Sequence, residues 1–143
     1  MSLSNSTFSP AKINLFLKDD KKRPDGFHNI ESRFQLINLF DEITIKKTNN
    51  KNISLRSNVK DKSFLNKNII LDAFLKLQEA VDEDLGCEVT VIKNIPMGAG
   101  LGGGSSNAAS TLVGLNDLFK LNLSRTELTQ LGAELGADIP FFI

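Results

Sequence analysis

The sequence predicts an α+β fold, in which a mainly antiparallel sheet of roughly five strands carries helices packed on one face. Two observations support this class. Segments of alternating apolar and polar residues come in pairs joined by polar turns, which is the pattern of β-hairpins. Later segments carry apolar residues at helical spacing. Because 143 residues are enough to enclose one core, a single domain is expected.

The first predicted strand covers 8–17, where apolar residues alternate with Lys12 and other side chains. A charged connection at 18–23 and the turn sequence Pro24-Asp25-Gly26 lead to a returning strand at 27–37, so a long hairpin is expected. Lys12 is then a cation well inside the sheet. The alternative is an edge-strand lysine whose charged end reaches water, and both remain open at this point.

A second hairpin is predicted from two short alternating segments, 43–45 and 53–55, that flank a polar turn. A polar loop at 57–66 precedes an amphipathic helix at 68–81. The alternating segment 87–92 is the last predicted strand, and it runs directly into a glycine-rich loop. These segments complete the predicted sheet and place one helix against it.

Two further helices are predicted after the glycine-rich loop. The first ends near Lys120, and the second begins at the capping box Ser124-Arg125-Thr126-Glu127 and ends at Gly136. The remaining residues, 137–143, are apolar except for Asp138 and have the character of a buried strand. Because chain ends usually lie at the surface, this ending predicts that the chain is the N-terminal part of a longer protein.

The composition argues against several classes of partner. Seventeen basic and seventeen acidic residues cancel, so no overall field favours nucleic acid or a membrane surface. No apolar run approaches the roughly 18 residues of a membrane-spanning helix, and the polar N-terminus lacks a signal-peptide pattern. The single Cys87 and single His28 cannot form an intrachain disulfide or a zinc site, and a free thiol suits a reducing compartment. We therefore expect a cytoplasmic protein with no nucleic-acid or membrane partner.

Five of the ten glycines fall within the seven residues from Gly98 to Gly104. Glycine loses the most entropy on ordering, so this density needs a functional reason, and glycine permits positive φ and close approach to the backbone. The capping residues Ser105-Ser106-Asn107 follow and open a helix. A glycine loop that leads into a helix N-terminus presents free N–H groups and the positive end of the helix dipole to an anion. The loop is therefore predicted to be a phosphate cradle.

Two common phosphate-binding loops do not fit this segment. Gly98, Gly100 and Gly103 match the spacing of the dinucleotide-binding fingerprint, but a helix follows in place of a strand that ends in an acidic residue. The P-loop needs a lysine after its glycines, and no lysine occurs between Lys93 and Lys120. Protein-kinase signatures are absent as well. The cradle must therefore be of another kind.

Three residues outside the loop are candidates for a site. Asp138 is either a surface-turn carboxylate or a partly buried carboxylate that needs a cation, for which Lys12 is the candidate. Phe27 is either a core aromatic or a ring that stacks on a flat ligand. His28, its neighbour, is either a packed structural residue or part of the same site.

The loop sequence Pro96-Met97-Gly98-Ala99-Gly100-Leu101-Gly102-Gly103-Gly104-Ser105-Ser106 resembles the motif Pro-x-x-x-Gly-Leu-Gly-Gly/Ser-Ser-Ser of the GHMP small-molecule kinases, with one extra glycine. Three other segments resemble the members of that superfamily that act on 4-diphosphocytidyl-2-C-methyl-D-erythritol. These segments are Ser9-Pro10-Ala11-Lys12-Ile13-Asn14-Leu15, Asp25-Gly26-Phe27-His28 and Leu135-Gly136-Ala137-Asp138-Ile139-Pro140-Phe141-Phe142. The resemblance covers the whole chain but only the N-terminal domain of a family member. Phe27 is a departure, since the family has tyrosine there.

The resemblance implies a fold like the second domain of ribosomal protein S5, and ATP-dependent phosphorylation of the free 2-hydroxyl of 4-diphosphocytidyl-2-C-methyl-D-erythritol, with ATP and Mg²⁺ as cofactors. It implies that Asp138 is the catalytic base and that Lys12 holds it ionised and helps the attacking oxygen. The implied nucleotide contacts are Asn68, Pro96, Met97, Gly98, Ala99, Gly100, Leu101, Gly102, Gly103, Gly104, Ser105 and Ser106. The implied contacts to the cytidine diphosphate-linked polyol are Asn14, Phe27 and His28, with Phe27 stacking on cytosine. Metal ligands stay unassigned.

Three alternatives remain. One is another GHMP kinase, of the mevalonate or homoserine type, although an aromatic residue for a cytosine ring has no use there. Another is a nucleic-acid-binding module, given the S5-like fold. The third is a catalytically silent half, because the resemblance implies that substrate lies between this domain and a C-terminal domain absent from the chain. Weak or no activity is therefore expected of this chain alone.

Overall fold

The computed structural model describes residues 3–26 and 28–143, and at 17–21 and 28–31 it describes the backbone only. In chain order the elements are β1 (Ser4–Lys22), β2 (His28–Lys47), β3 (Ile53–Ser57), α1 (Lys62–Asn66), α2 (Ile69–Val81), β4 (Cys87–Ile92), α3 (Gly103–Phe119), α4 (Arg125–Leu135) and a terminal 3-10 helix (Ile139–Phe142). Within these ranges four strands form one sheet, in the order β1-β2-β4-β3. The predicted α+β class is confirmed.

The first two strands form the long antiparallel hairpin that the sequence predicts. Both strands are longer than predicted. Most of the charged connection at 18–23 continues β1, and the predicted strands at 27–37 and 43–45 are parts of the single strand β2. The sheet therefore has four strands in the described residues, where five were predicted. The pairing shifts between Pro10 and Ala11, and such an irregularity bends the strand locally.

The predicted second hairpin is wrong, because β4 lies between β2 and β3. β4 pairs antiparallel with β2, as in Ile45 opposite Val89, and parallel with β3, as in Leu55 opposite Val89. The connection from β2 to β3 passes close to Gly86, where an added Cβ would lie 1.5 Å from the carbonyl oxygen of Asn50. Only glycine permits this approach, because every other residue has a Cβ. The approach allows the connection from β2 to cross to the far side of β4, where β3 pairs.

The core lies between one face of the sheet and the helices. Every second side chain of β4 points into the core, because side chains alternate along a strand. The buried side chains of β2 lie beside them, as in Ile43 opposite Val91. Large buried side chains from the sheet and the helices include Ile43, Ile45, Ile70, Phe74, Leu77, Val89, Val91, Leu112, Leu115 and Ile139. Burial raises the pKa of the Cys87 thiol to about 12, so this residue is a packing group and no nucleophile at neutral pH.

The boundaries of α2 and α4 agree with the sequence prediction. α3 begins at Gly103, ahead of the predicted capping residues Ser105-Ser106-Asn107, and its N-cap is Gly102. Asn68 caps α2, since its side-chain oxygen accepts a hydrogen bond from the Ile70 N–H at 2.9 Å. α4 begins with the predicted capping box, in which Ser124 and Glu127 accept from each other's backbone N–H, and this lowers the pKa of the Glu127 carboxyl. The predicted loop at 57–66 instead contains the short helix α1.

Among the helices of the described residues, none is long and apolar enough to cross a membrane.

The C-terminal residues form a 3-10 helix, where the sequence predicted a strand-like segment. Pro140 lies at its start, where a fixed φ favours a helical turn. Ile139 is fully buried against α4, where Gly132 leaves room for it, since a Cβ there would lie 2.8 Å from Ile139 Cγ2. The apolar run that predicted a strand therefore packs one turn of helix, which begins directly after Asp138.

Candidate active site

The glycine loop, residues 93–102, joins β4 to α3 and is shaped by alternate glycines. Gly98, Gly100 and Gly102 have φ values of 72°, 75° and 70°, a region that glycine enters without strain. A Cβ on Gly98 or Gly100 would meet nothing within 4 Å, so these two positions need glycine for the backbone conformation rather than for space. Gly102 is the N-cap of α3, so the loop ends where the helix begins.

A cavity of about 420 Å³ opens against the glycine loop. The loop and the first turn of α3 form one wall, and the junction of α1 and α2 forms the other. The lining residues are Phe64, Lys67, Asn68, Ile69, Lys93, Pro96–Ser105 and Asn107. The first N–H groups of α3 lack intrahelical partners and belong to this wall, together with the positive end of the helix dipole. The residues present therefore fit a bound phosphate chain.

The structure brings most of the predicted nucleotide-binding residues to this cavity. Asn68 and the run from Pro96 to Ser105 all line it. Asn68 is also 8% exposed and caps α2, so part of its amide is already occupied. Ser106 is not among the lining residues, and its contact with the nucleotide stays a prediction. Ser106 is fully buried, and its hydroxyl shares a hydrogen bond with the Ser9 hydroxyl at 2.8 Å.

Lys12 and Asp138 lie next to each other, a point that the sequence left open. Lys12 Nζ is 4.0 Å from Asp138 Oδ2, and the two side chains are 5% and 40% exposed. Lys12 Nζ also donates to Asn14 Oδ1 at 3.1 Å and lies 4.5 Å from the centroid of the Phe34 ring. The predicted position well inside the sheet is wrong, because β1 is an edge strand. The charged end of Lys12 nevertheless does not reach water, because the side chain is buried among these partners. They offset the cost of removing an ammonium group from water.

The glycine loop lies directly beside Lys12. β1 is an edge strand of the sheet, and the loop covers it here, because the Lys12 N–H donates to the Leu101 carbonyl at 2.9 Å. A Cβ on Gly102 would lie 3.0 Å from both Lys12 Cγ and Phe142 Cζ, and the positive φ adds strain for any other residue. The loop, Lys12 and the terminal helix therefore converge at Gly102. The site combines an anion cradle, a buried cation and a half-exposed carboxylate.

Packing of the terminal helix keeps Asp138 at this place. Phe141 packs edge-on against Phe34 of β2, with ring centroids 5.1 Å apart, and Phe142 packs against Phe141 at the same distance. Phe34 is also the ring that Lys12 Nζ faces. One aromatic cluster therefore supports both charged groups of the pair.

Sequence reasoning missed a second set of polar residues, which lies beneath the glycine loop. Asp41 of β2 and Lys93 form an ion pair, and Asn107 of α3 is hydrogen-bonded to both. Neither Asp41 nor Lys93 belongs to a recognisable pattern. The one available signal was Asn107, which follows the serine pair of the loop motif.

The side chains of two predicted substrate contacts lie outside the described part of the structure. Phe27 is not among the described residues, and of His28 only the backbone, at the first position of β2, is described. Asn14 is described, and it contacts Lys12. Among the residues whose placement is described, no group of three or more His, Cys, Asp or Glu side chains could hold a metal ion.

Known proteins resemble this chain at the level of both sequence and structure. The sequence model of the GHMP kinases N terminal domain matches residues 68–143. A 4-diphosphocytidyl-2-C-methyl-D-erythritol kinase of Prochlorococcus marinus is 49% identical over 98% of this chain and 44% of the relative. The protein of that name from Ruthia magnifica subsp. Calyptogena magnifica is 44% identical over 99% of this chain and 49% of the relative. A crystal structure of 4-(cytidine 5'-diphospho)-2C-methyl-D-erythritol kinase matches with a TM-score of 0.81 at 33% identity, covering 96% of this chain and 48% of that one.

The chain spans about half the length of the curated relatives it matches. The family match runs from Asn68 to the last residue, so it includes the glycine loop, α3 and Asp138. The fold of the whole chain agrees with this match, since the crystal structure superposes on nearly all of it. The chain therefore belongs to the GHMP kinase family and carries that family's N-terminal domain.

Proposed function

We propose that this chain is the nucleotide-binding part of an ATP-dependent kinase that phosphorylates the free 2-hydroxyl of 4-diphosphocytidyl-2-C-methyl-D-erythritol, a reaction of non-mevalonate isoprenoid precursor biosynthesis. The observation that carries the proposal is the convergence of the Lys12–Asp138 pair and the glycine loop at Gly102. The names of the relatives support the choice of substrate. The same names do not favour mevalonate-type or homoserine-type substrates. A nucleic-acid ligand is not favoured either, because the net charge of the chain is zero.

The cavity beside the glycine loop is the proposed nucleotide site. N–H groups of the loop and of the first turn of α3 would bind phosphate oxygens. Phe64 and Asn68 line the opposite wall and would contact the base. Mg²⁺ would accompany the phosphates with waters among its ligands, which needs no dedicated cluster of carboxylates, and it would offset negative charge during transfer.

The proposed chemistry needs few protein groups. Asp138 would orient the acceptor hydroxyl and take its proton while the new oxygen–phosphorus bond forms and the bond to the ADP oxygen breaks. Lys12, whose Nζ lies 4.0 Å from Asp138 Oδ2, would orient the Asp138 carboxylate and stabilise charge on the transferring group. Asn14 would fix the Lys12 ammonium through the hydrogen bond at 3.1 Å. Because phosphoryl transfer depends mainly on positioning and charge stabilisation, this set is sufficient.

We expect a version of the protein extended to the length of its relatives to transfer phosphate from ATP to 4-diphosphocytidyl-2-C-methyl-D-erythritol. Mevalonate and homoserine should be poorer acceptors by at least about 100-fold in kcat/KM, since they leave groups that bind the cytidine unpaired. The 143-residue chain alone should turn over slowly or not at all, because the proposed substrate site lies between two domains. ADP release and mass spectrometry of the product measure these rates. A preference for mevalonate or homoserine would contradict the substrate, and full turnover by the short chain would contradict the two-domain site.

A further inference from the structure

A buried ion pair lies beneath the glycine loop and takes no part in the proposed chemistry. Asp41 and Lys93 form this pair, with side chains 0% and 6% exposed. Asn107 of α3 accepts from Lys93 Nζ at 2.9 Å and donates to Asp41 Oδ2 at 2.9 Å. A buried ion pair loses hydration and often adds no net stability compared with apolar packing. Its presence here therefore calls for another reason.

The ion pair holds both ends of the glycine loop. Asp41 Oδ1 accepts from the backbone N–H of Asn94 at 2.7 Å and from that of Ile95 at 2.8 Å, where the loop leaves β4. Lys93 Nζ packs against the start of α3, since a Cβ on Gly103 would lie 3.1 Å from it. The entry and the exit of the loop thus rest on the same two side chains.

The same network reaches the strand that carries Lys12. Asn107 Nδ2 donates to the Ser9 hydroxyl at 3.0 Å, and the hydroxyls of Ser9 and Ser106 share a hydrogen bond at 2.8 Å. Ser9 is fully buried and precedes Lys12 by three positions on β1. Strand β1, strand β2, the loop and helix α3 are therefore joined by one continuous set of buried hydrogen bonds.

We propose that these side chains are positioning residues, which set where the phosphate cradle lies relative to the Lys12–Asp138 pair. The set is Ser9, Asp41, Lys93, Ser106 and Asn107. The inference rests on the proposed kinase function. Transfer requires the phosphate and the acceptor oxygen to be in line, and a displacement of the order of 1 Å can lower the rate about 100-fold. A network that fixes the loop and β1 to the same helix controls this distance.

Asn107→Ala tests the inference, and Asn116→Ala is its matched control. Both asparagines are buried on α3, and Asn116 makes two hydrogen bonds to the backbone of Leu123, outside the network. In the extended protein, Asn107→Ala is expected to lower kcat at saturating ATP by about 100-fold. Nucleotide affinity should weaken by about tenfold, because the loop loses its fixed shape. Asn116→Ala should lower the melting temperature without changing kcat or the KM for ATP.

Equal losses of melting temperature in both variants, with kcat unchanged in both, would overturn the positioning role and leave the kinase function intact. Absence of nucleotide binding and of phosphorylation in the unaltered protein would overturn the kinase function and this inference together.

If Asn107→Ala does not fold, the variants Ser9→Ala and Ser106→Ala test the inference instead. Each should lower kcat, and the double variant should lose less than the product of the two single losses, because the hydroxyls share one hydrogen bond. Unchanged kcat in all three serine variants would overturn the inference.

Discussion

Asp138→Asn is expected to lower kcat by about 10²- to 10⁴-fold, which is the usual contribution of a general base. Asparagine is close to aspartate in size but cannot take the proton of the acceptor hydroxyl. The Asp138 side chain is 40% exposed and makes no capping hydrogen bond to the 3-10 helix, so stability should change little. The rate is measured as ATP-dependent phosphorylation in the protein extended to the length of its relatives.

Asp84→Asn is the matched control for this variant. Asp84 is a more exposed carboxylate, at 57%, and it is also paired with a lysine, Lys51. Its replacement should leave kcat unchanged. Nucleotide affinity should be unchanged in Asp138→Asn too, because Asp138 is not among the residues that line the nucleotide cavity. A kcat for Asp138→Asn close to that of Asp84→Asn would contradict the proposed role of Asp138.

Lys12→Met is expected to lower kcat by about 10²- to 10³-fold, the usual loss when one group that stabilises charge in the transition state is removed. Methionine fills similar space without the charge. The change leaves Asp138 without the cation 4.0 Å away, and it removes positive charge from beside the glycine loop. Because Asp138 is half-exposed, water can hydrate its carboxylate in the variant, so the fold should persist. Circular dichroism and kcat measured on the same preparation separate the two effects.

Lys47→Met is a control for the cation–π contact of Lys12, made by a lysine at an exposed position. Lys47 lies at the end of β2, and its Nζ is 4.6 Å from the centroid of the Phe119 ring, much as Lys12 Nζ lies 4.5 Å from that of Phe34. Loss of this cation–π contact should leave kcat unchanged. Equal, small effects of the two methionine variants on kcat would show that Lys12 is only a packing group.

The parts of the fold that depend on local chemistry could be predicted from the sequence. Alternation predicted the long hairpin, the apolar stripe at helical spacing predicted the helix that follows Asn68, and the capping box at Ser124 marked the start of another helix. The strand order could not be predicted in this way. The order depends on the close approach of Asn50 to Gly86, two residues that are distant in sequence. The polar turn after β2 has the same sequence character whether β3 pairs with β2 or lies on the far side of β4.

The same distinction between local sequence and long-range packing applies to the candidate site. The glycine loop is contiguous in sequence, so its motif predicted both its shape and its place before a helix. Lys12 and Asp138 could be named, but their approach to 4.0 Å depends on Phe141 packing against β2. The ion pair of Asp41 and Lys93 was missed because its members come from separate elements and form no pattern in the chain.

The most direct test of a phosphate cradle beside Lys12 is an amide NMR titration of the ¹⁵N-labelled 143-residue chain with Mg²⁺-ATP. We expect the largest shift changes at Gly98, Gly100, Gly102 and Gly103, whose N–H groups belong to the loop and the first turn of α3. Lys12 should shift as well, because its N–H donates to the Leu101 carbonyl. Glycine amides that stay unshifted at saturating ATP, or shift changes confined to another part of the chain, would contradict nucleotide binding at this loop.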